Sequence, residues 1–335
     1  MQKQTGLSII NRIKQLTIQN MIQIDNRTSP FHKGERAIQS QLGVRDRMEN
    51  FGNRVIRDYL PEQHRDFYTK LSYIIVGHAD NNGHPWASIL FKKNGLIQSS
   101  DEQHLTINSK PLIGDPLSNT LINQSQTGGH INFGLLGIEL ESRRRNRLSA
   151  YVTSYSDNNI QLKIKQTFGN CPKYIQAREM TYNERTQPSI VKNFSNLDNQ
   201  TSQLITKSDT FFIASYLKSK SNDINKGADV SHRGGKPGFV TVHKNTLTIP
   251  DYQGNNHFNT LGNILENPVA GLTFIDFDSG DIIMLTGKAQ IIWDSKELAD
   301  YNGAQRLLKF TLVKGISISN AVPLKWGKAE MSRFL

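Results

Sequence analysis

Apolar residues recur in two different patterns along this chain of 335 residues. Within residues 1–65 the pattern is helical, as in the spacing of Ile9, Ile13 and Leu16 and in the mixed charged and apolar stretch Asp46–Tyr59. Apolar positions at this spacing form one face of a helix. The first 65 residues are therefore predicted to be a helical region that contributes packing and no site.

From about Lys70 the pattern changes to short runs typical of strands. The runs Tyr73–Val76, Trp86–Phe91 and Phe133–Leu140 are separated by clusters of Gly, Asn and Asp. Such runs predict a β-barrel or sandwich. Residues 181–207 are polar and predict a linker or a long surface excursion, after which a second β-rich block begins.

The two β-rich blocks resemble each other. Ile74–Gly77 aligns with Phe211–Ala214, and Gly134–Ser142 aligns with Gly271–Ser279, both at an offset of 137 residues. Two segments that share one offset predict a duplicated barrel, because loops tolerate changes in length that strands do not. A chance match between short strings is the alternative.

A third match, of Gly83-His84-Pro85 with Gly235-Lys236-Pro237, has an offset of 152. It predicts about fifteen extra residues in the second block, with the insertion near Ser219–Asp229. The domains expected from these patterns are a helical region at 1–65, a first barrel at 66–180 and a second barrel at 181–335.

The two blocks differ after the strand that ends near Pro250. The second block is predicted to open a helix at Asn259–Glu266, whereas the first has only a looser polar stretch, Ser99–Asn132. The free N–H groups at a helix start favour a phosphate, and Asn259, Thr260 and Asn263 would add neutral donors. The alternative is that Asn259 is a helix cap in an ordinary surface turn.

The segment Asp229–Val242 places an arginine, a lysine and three glycines just before a predicted strong strand. Arginine presents a planar fork of donors suited to phosphate, and glycine lets a flat ligand approach the backbone. This segment is thus a candidate binding wall for a planar anion. A flexible basic hairpin is the other interpretation.

Composition narrows the class of protein. Hydrophobic residues make up 36% and charged residues 21%, which is typical of folded soluble proteins. No apolar run is long enough to span a membrane, and without a secretion signal the cytoplasm is the expected location. The single cysteine, Cys171, excludes an intramolecular disulfide, and no histidine spacing indicates a metal site.

The net charge is +11, which suits either nucleic acid or a small anionic ligand. The charges are spread along the chain, and the one dense cluster, Arg143–Arg145 with Arg147, lacks the neighbouring aromatic residues that stack bases. A nucleic-acid partner is therefore the less favoured interpretation.

The quoted residues of the second block resemble the pyridoxamine 5′-phosphate oxidase-like flavin-binding proteins. The resemblance is carried by Asp229–Val242, Ile249–Asn255, Phe258–Asn263 and Leu285–Ala289. In the first half, further strings look like a larger bacterial subfamily: Ser29–Glu35, Gln63–Phe67, Gly137–Arg147 and Phe168–Ile175. The resemblance covers nearly the whole chain.

This resemblance implies split barrels that bind flavin mononucleotide (FMN) where two barrels meet, in most members across a homodimer. Here the duplication would supply both sides, and a homodimer is a further expected assembly. The residues that the resemblance places on the cofactor are Ser231, Arg233 and Lys236 along the flavin, Asp251 and Tyr252 at the strand end, and Asn259, Thr260 and Asn263 on the phosphate.

One departure from the family pattern concerns the phosphate. Asn259 and Thr260 stand where the oxidases usually have Arg and Lys, so arginines of the first barrel, Arg145 among them, are expected to compensate across the interface. A Cys-Pro-Lys element also resembles related flavin proteins and would place Lys173 and Arg178 near the cofactor. Cys171 itself is expected to be a buried structural thiol rather than a nucleophile.

The fold class predicted is mainly β, with two flavin-type split barrels and a helical N-terminal region. The leading functional hypothesis is an FMN-dependent oxidoreductase acting on a small molecule or electron donor, with no side chain assigned as acid or base. The alternative is a non-enzymatic binder or scavenger of flavin or haem, and haem would require a histidine beside the groove. A basic nucleic-acid-associated protein is the third hypothesis.

Overall fold

The computed structural model describes residues 29–127, 131–156, 158–183, 187–218 and 223–335. The helix predicted around Ile9–Leu16 lies outside these residues. Further along the N-terminal region the expected helices are present.

Six α-helices are formed by the described residues: α1 Lys33–Gln41, α2 Arg45–Val55, α3 Glu62–Thr69, α4 Leu117–Thr127, α5 Asn199–Lys207 and α6 Asn259–Glu266. A short 3₁₀ helix spans Lys296–Asp300. The strands of the first half are β1 Tyr73–Ala79, β2 Pro85–Phe91, β3 Ile97–Gln98, β4 His104–Asn108, β5 Asn132–Glu139, β6 Arg144–Ser156 and β7 Asn159–Gly169. Those that follow are β8 Met180–Tyr182, β9 Ile190–Phe194, β10 Thr210–Tyr216, β11 Ala228–Gly234, β12 Thr241–His243, β13 Thr246–Tyr252, β14 Val269–Ile275, β15 Ile282–Ile292, β16 Ala304–Ser319 and β17 Leu324–Trp326.

Two antiparallel sheets form two split barrels with the same strand order. The first runs β2-β1-β5-β6-β7-β4-β3, and the second runs β11-β10-β14-β15-β16-β13-β12. The register also repeats, since Ile75 pairs with Leu136 in the first sheet and Phe212 pairs with Thr273 in the second. Both partners are shifted by 137 residues, so the duplication extends to individual pairs of residues.

The match with an offset of 152 is wrong. Pro85 opens β2, whereas Gly235-Lys236-Pro237 follows β11, so the two strings lie at opposite ends of equivalent strands. The true equivalents are Ala87 and Val230, which pair with Gly77 and Ala214. Their offset of 143 makes the second hairpin loop longer by six residues instead of fifteen. Gly and Pro recur at many turns, which is why the short string misled.

The prediction that only the second copy has a helix between these strands is also wrong. Helix α4 lies between β4 and β5, as α6 lies between β13 and β14. Its sequence is rich in Ser, Asn and Gln, but Leu117 and Leu121 are fully buried at a spacing of four residues. One pair of apolar residues anchors α4 to its barrel. The rest of the helix is polar, so its sequence shows no clear apolar face.

The polar segment expected to be a linker contributes structure as well. Strand β9 pairs with β16 at the edge of the second sheet, and α5 follows it with Asp198 as its N-cap. An exposed edge strand needs few apolar residues, and therefore the segment lacked a strand pattern.

Three apolar cores hold the molecule together. Alternate residues of β1 serve two of them: Ile74 and Val76 face the interior of the first barrel, while Ile75 faces the core between the barrels. In β10 the same alternation sends Phe211 into the second barrel and Phe212 into the shared core. Side chains of a strand alternate between its faces, so each central strand packs in two cores at once.

The barrels cross at two equivalent glycines. A Cβ atom on Gly134 would lie 2.6 Å from the Cα of Asp229 on β11, and one on Gly271 would lie 2.8 Å from the Cα of Trp86 on β2. Gly134 and Gly271 are separated by the repeat offset of 137 residues, as Trp86 and Asp229 are by 143. The barrels are therefore related by an approximate two-fold axis, and their close approach requires glycine on both sides.

Helix α1 packs against α6. His32 and Glu35 form a capping box at the start of α1, and His32 Nδ1 lies 2.9 Å from Glu266 Oε1 at the end of α6. A Cβ on Gly262 would lie 2.7 Å from the backbone nitrogen of Glu35. This close crossing fixes the position of the first turn of α6. None of the described helices is long and apolar enough to cross a membrane.

Candidate functional site

A groove lies at the junction of the two barrels. The first barrel contributes the start of β6 and the segment after β7, and the second contributes β11, the end of β13 and the start of α6. Its cavity volume is about 120 Å³, and the groove opens to solvent. The groove is therefore an open cleft, able to hold a ligand that remains partly in solvent.

Eight of the eleven residues assigned from the sequence line this groove: Arg145, Lys173, Ser231, Arg233, Asp251, Tyr252, Asn259 and Thr260. Three do not. Asn263 lines a smaller polar cavity of about 40 Å³ on the other side of α6. Lys236 is exposed in the turn after β11, and Arg178 is ion-paired with Asp209 at 2.6 Å.

The side chains at the start of α6 are already engaged. Asn259 Nδ2 donates a short hydrogen bond to Glu35, and Thr260 Oγ1 donates to Asp229 Oδ2 at 2.8 Å. Asn263 Nδ2 donates to Ser215 Oγ at 3.1 Å, which ties the helix to β10. The first turn has no side-chain cap. Any anion bound there would be held mainly by backbone N–H groups.

Backbone strain is concentrated around the same groove. Tyr174, Asn256 and Phe258, which all line it, have φ values of 66°, 61° and 62°. This left-handed conformation is unfavourable for residues other than glycine, and such residues cluster at functional sites. Tyr174 also stacks on Tyr252, with ring centroids 5.4 Å apart. Together they form an aromatic wall at the mouth.

Three arginines converge on the groove from both barrels. Arg145 and Arg147 extend from β6, and Arg233 extends from β11. Arg147 is ion-paired with Asp229, and Arg233 with Asp251. The other members of the basic cluster point elsewhere: Arg143 is paired with Glu330, and Arg144 lies over the ring of Phe67.

Burial and the repulsion of neighbouring arginines lower the pKa values of Arg145 and Arg147. Desolvation and the neighbouring arginines lower the pKa of Arg147 to about 9, and desolvation lowers the pKa of Arg145 to about 10. Both therefore remain charged at neutral pH. Within the part of the chain that the structure describes, Arg145 has no carboxylate partner and bonds only to the carbonyls of Cys171 and Lys173 and to His232. A bound anion would relieve this repulsion.

His232 is a groove residue that the sequence analysis did not assign to the site. Its side chain is 5% exposed, packs edge-on against Phe212, and accepts a hydrogen bond at Nδ1 from Arg145 Nη1 at 3.1 Å. Burial, followed by the charges of Arg145, Arg233 and Arg178, holds its pKa well below the usual value. Only its place between Ser231 and Arg233 on one strand could have signalled it.

Cys171 is exposed and lines the groove, so the expectation of a buried thiol is wrong. It follows the end of β7 in an irregular segment, where its carbonyl accepts a hydrogen bond from Arg145 Nε at 2.9 Å. The described residues contain no group of three or more His, Cys, Asp or Glu arranged to hold a metal ion.

The second half of the chain matches a known protein family. Residues 197–314, which include the groove-forming part of the second barrel, match the family model described as pyridoxamine 5′-phosphate oxidase. The matched segment, which is most of the second barrel, belongs to the pyridoxamine 5′-phosphate oxidase-like family. Sequence and topology together extend the repeat of this family's barrel to the first half. No curated protein matches the chain.

Solved structures show only distant likeness. A Lactobacillus delbrueckii protein provisionally named as a pyridoxamine 5′-phosphate oxidase is 16% identical, with a TM-score of 0.29, over 36% of this chain and 94% of its own. HupZ of Group A Streptococcus is 10% identical (TM-score 0.27; 35% and 90% covered). The FAD binding protein of Mycobacterium smegmatis is 11% identical (TM-score 0.25; 38% and 98% covered). At these scores the likeness carries no argument about the site.

Proposed function

We propose that the groove binds one FMN per chain and that the protein is a flavin-dependent oxidoreductase acting on a small molecule. The observation that carries this proposal is the convergence of Arg145, Arg147 and Arg233 from two barrels on one strained, open cleft. The match of residues 197–314 to the pyridoxamine 5′-phosphate oxidase family supports a flavin as the ligand. FMN is the flavin whose single phosphate this small cationic cleft suits.

The charges of the groove fit a phosphate. Asp229 pairs with Arg147, and Asp251 is shared by Arg233 and the buried Arg306, which leaves Arg145 as an unneutralised cation beside Lys173. Arginine forks bind phosphate in a bidentate manner. We therefore assign the phosphate chiefly to the arginines and to the backbone N–H groups at the start of α6, with Asn259 and Thr260 in supporting roles.

The remaining wall fits a flat ring. Tyr174 and Tyr252 present aromatic surface to the groove, and the absence of a side chain at Gly234 lets the carbonyl of Tyr174 lie directly against β11. Flavin, when bound, supplies the redox chemistry itself. The residues of this chain would bind the ring, orient it, and leave one edge open to a substrate or an electron donor.

A second candidate is a haem-binding protein, because a histidine does lie beside the groove. The Nδ1 atom of His232 is already hydrogen-bonded to Arg145. An axial ligand would therefore have to be Nε2, which must then carry a free lone pair.

The proposal is tested by the absorbance spectrum of the purified protein and by titration with FMN, followed by flavin fluorescence. Arg233→Ala and Asn259→Asp should both weaken FMN binding, the latter because it adds a negative charge beside the phosphate. Each loss is expected to be about tenfold or more, the effect of one charge-assisted hydrogen bond. Lys236→Ala, which removes an exposed charge outside the groove, is the matched control and should change affinity less than about twofold.

A colourless protein that does not bind added FMN would contradict the proposal. So would unchanged affinity in both groove variants. If FMN binds, reduction of the bound flavin by NADH or NADPH, measured by its loss of visible absorbance, would identify the electron donor.

A further inference from the structure

His232 lines the groove and carries a polar atom that nothing else in the described residues satisfies. Its Nε2 atom is buried and has no hydrogen-bond partner there, although the residue lines the groove. A buried donor or acceptor left unpaired costs about 1–3 kcal/mol. An atom of this kind in a ligand groove indicates that a ligand completes its hydrogen bonding.

Arg145 determines which form of the imidazole is present. A guanidinium group has only donors, so the contact of 3.1 Å between Arg145 Nη1 and His232 Nδ1 requires Nδ1 to accept. A neutral imidazole with a lone pair on Nδ1 carries its proton on Nε2. The ring stays neutral at physiological pH, because burial and then the facing cations Arg145, Arg233 and Arg178 lower its pKa.

The two residues come from different barrels. Arg145 lies on β6 and His232 on β11, so the contact exists only when the barrels are docked as they are here. Arg145 is held in place by two carbonyl oxygens of its own barrel, those of Cys171 and Lys173. The interface between the two barrels therefore orients the imidazole of His232.

We propose that Arg145 and His232 form a donor pair in which Arg145 is the positioning residue and His232 Nε2–H donates to an acceptor atom of the bound flavin. This inference rests on the proposed function. Reduction places negative charge on the flavin ring, and a nearby donor and cation stabilise that charge. The pair should therefore raise the midpoint potential of the flavin as well as its affinity.

The same tautomer argues against haem. A haem iron is bound by a nitrogen lone pair, and the lone pair of His232 lies on Nδ1, where Arg145 occupies it. The histidine that made haem a candidate is therefore set up as a donor, and its site favours a ligand with oxygen or nitrogen acceptors.

The test uses His232→Phe, which keeps an aromatic ring against Phe212, and His232→Gln, whose amide N–H can restore a donor. His232→Phe should weaken FMN binding about tenfold, which corresponds to one hydrogen bond of about 1.4 kcal/mol. It should also make the midpoint potential, measured with dithionite and a reference dye, more negative. His232→Gln should recover most of both properties.

Arg145→Met provides a separate readout of positioning. Without the guanidinium, the imidazole is free to change tautomer, and its pKa should return toward the ordinary value because one repelling cation is removed. Any pH dependence of FMN affinity that this imidazole confers should then lie at a higher pH than in the wild-type protein. Nitrogen-15 NMR of the imidazole should show the Nε2–H tautomer in the wild type without any ligand.

The outcomes separate this inference from the proposed function. If the wild type binds FMN and His232→Phe changes neither affinity nor potential, the donor pair is wrong and the proposed function stands. If the wild type binds no FMN, the proposed function fails. Haem binding that is lost in His232→Phe, or an Nδ1–H tautomer in the NMR spectrum, would overturn the assignment of Nε2 as a donor.

Discussion

The groove and its counterpart in the other half of the molecule share one framework but differ in chemistry. On the strands with an offset of 143, Ser231, His232 and Arg233 of the groove correspond to Ser88, Ile89 and Leu90. On the strands with an offset of 137, Arg145 and Arg147 correspond to Ile282 and Met284. The four ionisable groove residues of this comparison, Arg145, Arg147, His232 and Arg233, thus each have an apolar equivalent.

These apolar equivalents are buried. Ile89, Leu90, Ile282 and Met284 are each at most 1% exposed and belong to the barrel or inter-barrel cores. The counterpart of the groove is therefore packed core. A repeated fold thus has one open position and one filled position, and the filled position supplies stability that the arginine-rich groove lacks.

The one polar residue that both positions keep has a structural role in each. Ser231 Oγ lies 2.9 Å from Thr260 of α6, and Ser88 Oγ donates to Asp115, just before α4, at 2.7 Å. Both serines fasten the second strand of a barrel to its helix. A conserved position in a repeat can thus reflect the fold, whereas the difference at the next two positions marks the site.

The largest expected effect comes from imposing groove chemistry on the filled position. Leu90→Arg would place an unpaired charge in the core of the first barrel, and we expect a loss of about 4 kcal/mol or failure to fold. Arg233→Leu, the reverse change at the equivalent residue, should cost far less because that side chain is 25% exposed. Urea denaturation of both variants measures the difference, and equal losses would contradict the comparison.

The glycine crossings test the two-fold relationship. Gly271→Val should lower the free energy of unfolding by about 3 kcal/mol, since its side chain would meet the backbone of β2. Gly134→Val should have a similar effect through β11. Gly254→Ala is the control, because nothing lies within 4 Å of a Cβ atom there. A large effect at only one crossing would show that the barrels are not docked symmetrically.

A smaller effect is expected when the groove is made to resemble its counterpart. Arg147→Met introduces the equivalent residue and should reduce FMN affinity by about thirtyfold, or about 2 kcal/mol, through the loss of a charge-assisted contact. Met284→Leu changes the counterpart alone and should leave affinity unaltered. Fluorescence titration gives both values, and a comparable loss in the two variants would be inconsistent with a single groove.

The smallest effect concerns pH. Burial lowers the pKa of His78 in the first barrel and of His257 in the second to about 4. The unfolded chain therefore binds more protons than the folded chain between pH 6.5 and 4, and stability falls as the pH falls through this range. Asp115, whose pKa is raised to about 6, has the opposite slope in the first barrel.

Replacing His257 should consequently make the stability depend less on pH between pH 6.5 and 4. Replacing His78 together with Asp115 should have a smaller effect, because their slopes are opposite. For His257→Leu the change at pH 6 is expected to be below about 1 kcal/mol. Thermal melting between pH 4 and 7 measures it, and a steeper acid limb in the variant would refute the sign.

The sequence predicted the parts of the molecule that depend on local patterns. The strand runs, the duplication and the helix at Asn259 follow from periodicity and turn residues, and eight assigned residues do line one groove. Helix α4 was not predicted, because only two buried leucines anchor it. The register of the second hairpin was predicted wrongly, because Gly and Pro strings occur at both ends of a strand.

The sequence predicted the site only where its residues lie close together along the chain. Arg178 pairs with Asp209, and Lys236 lies in an exposed turn, although both were close in sequence to groove residues. His232 acquires its orientation from Arg145, 87 residues away, across an interface that no local pattern reports. Tertiary contacts, which decide charge state and tautomer, were beyond the reach of residue spacing.

The central claim is that one groove, built from both halves, holds one flavin. The direct measurement is the amount of flavin released on denaturation per mole of chain, after saturation with FMN, combined with the mass of the native protein by light scattering. The account predicts one flavin per chain whether the protein is a monomer or a larger assembly. Two flavins per chain, or none, would contradict it.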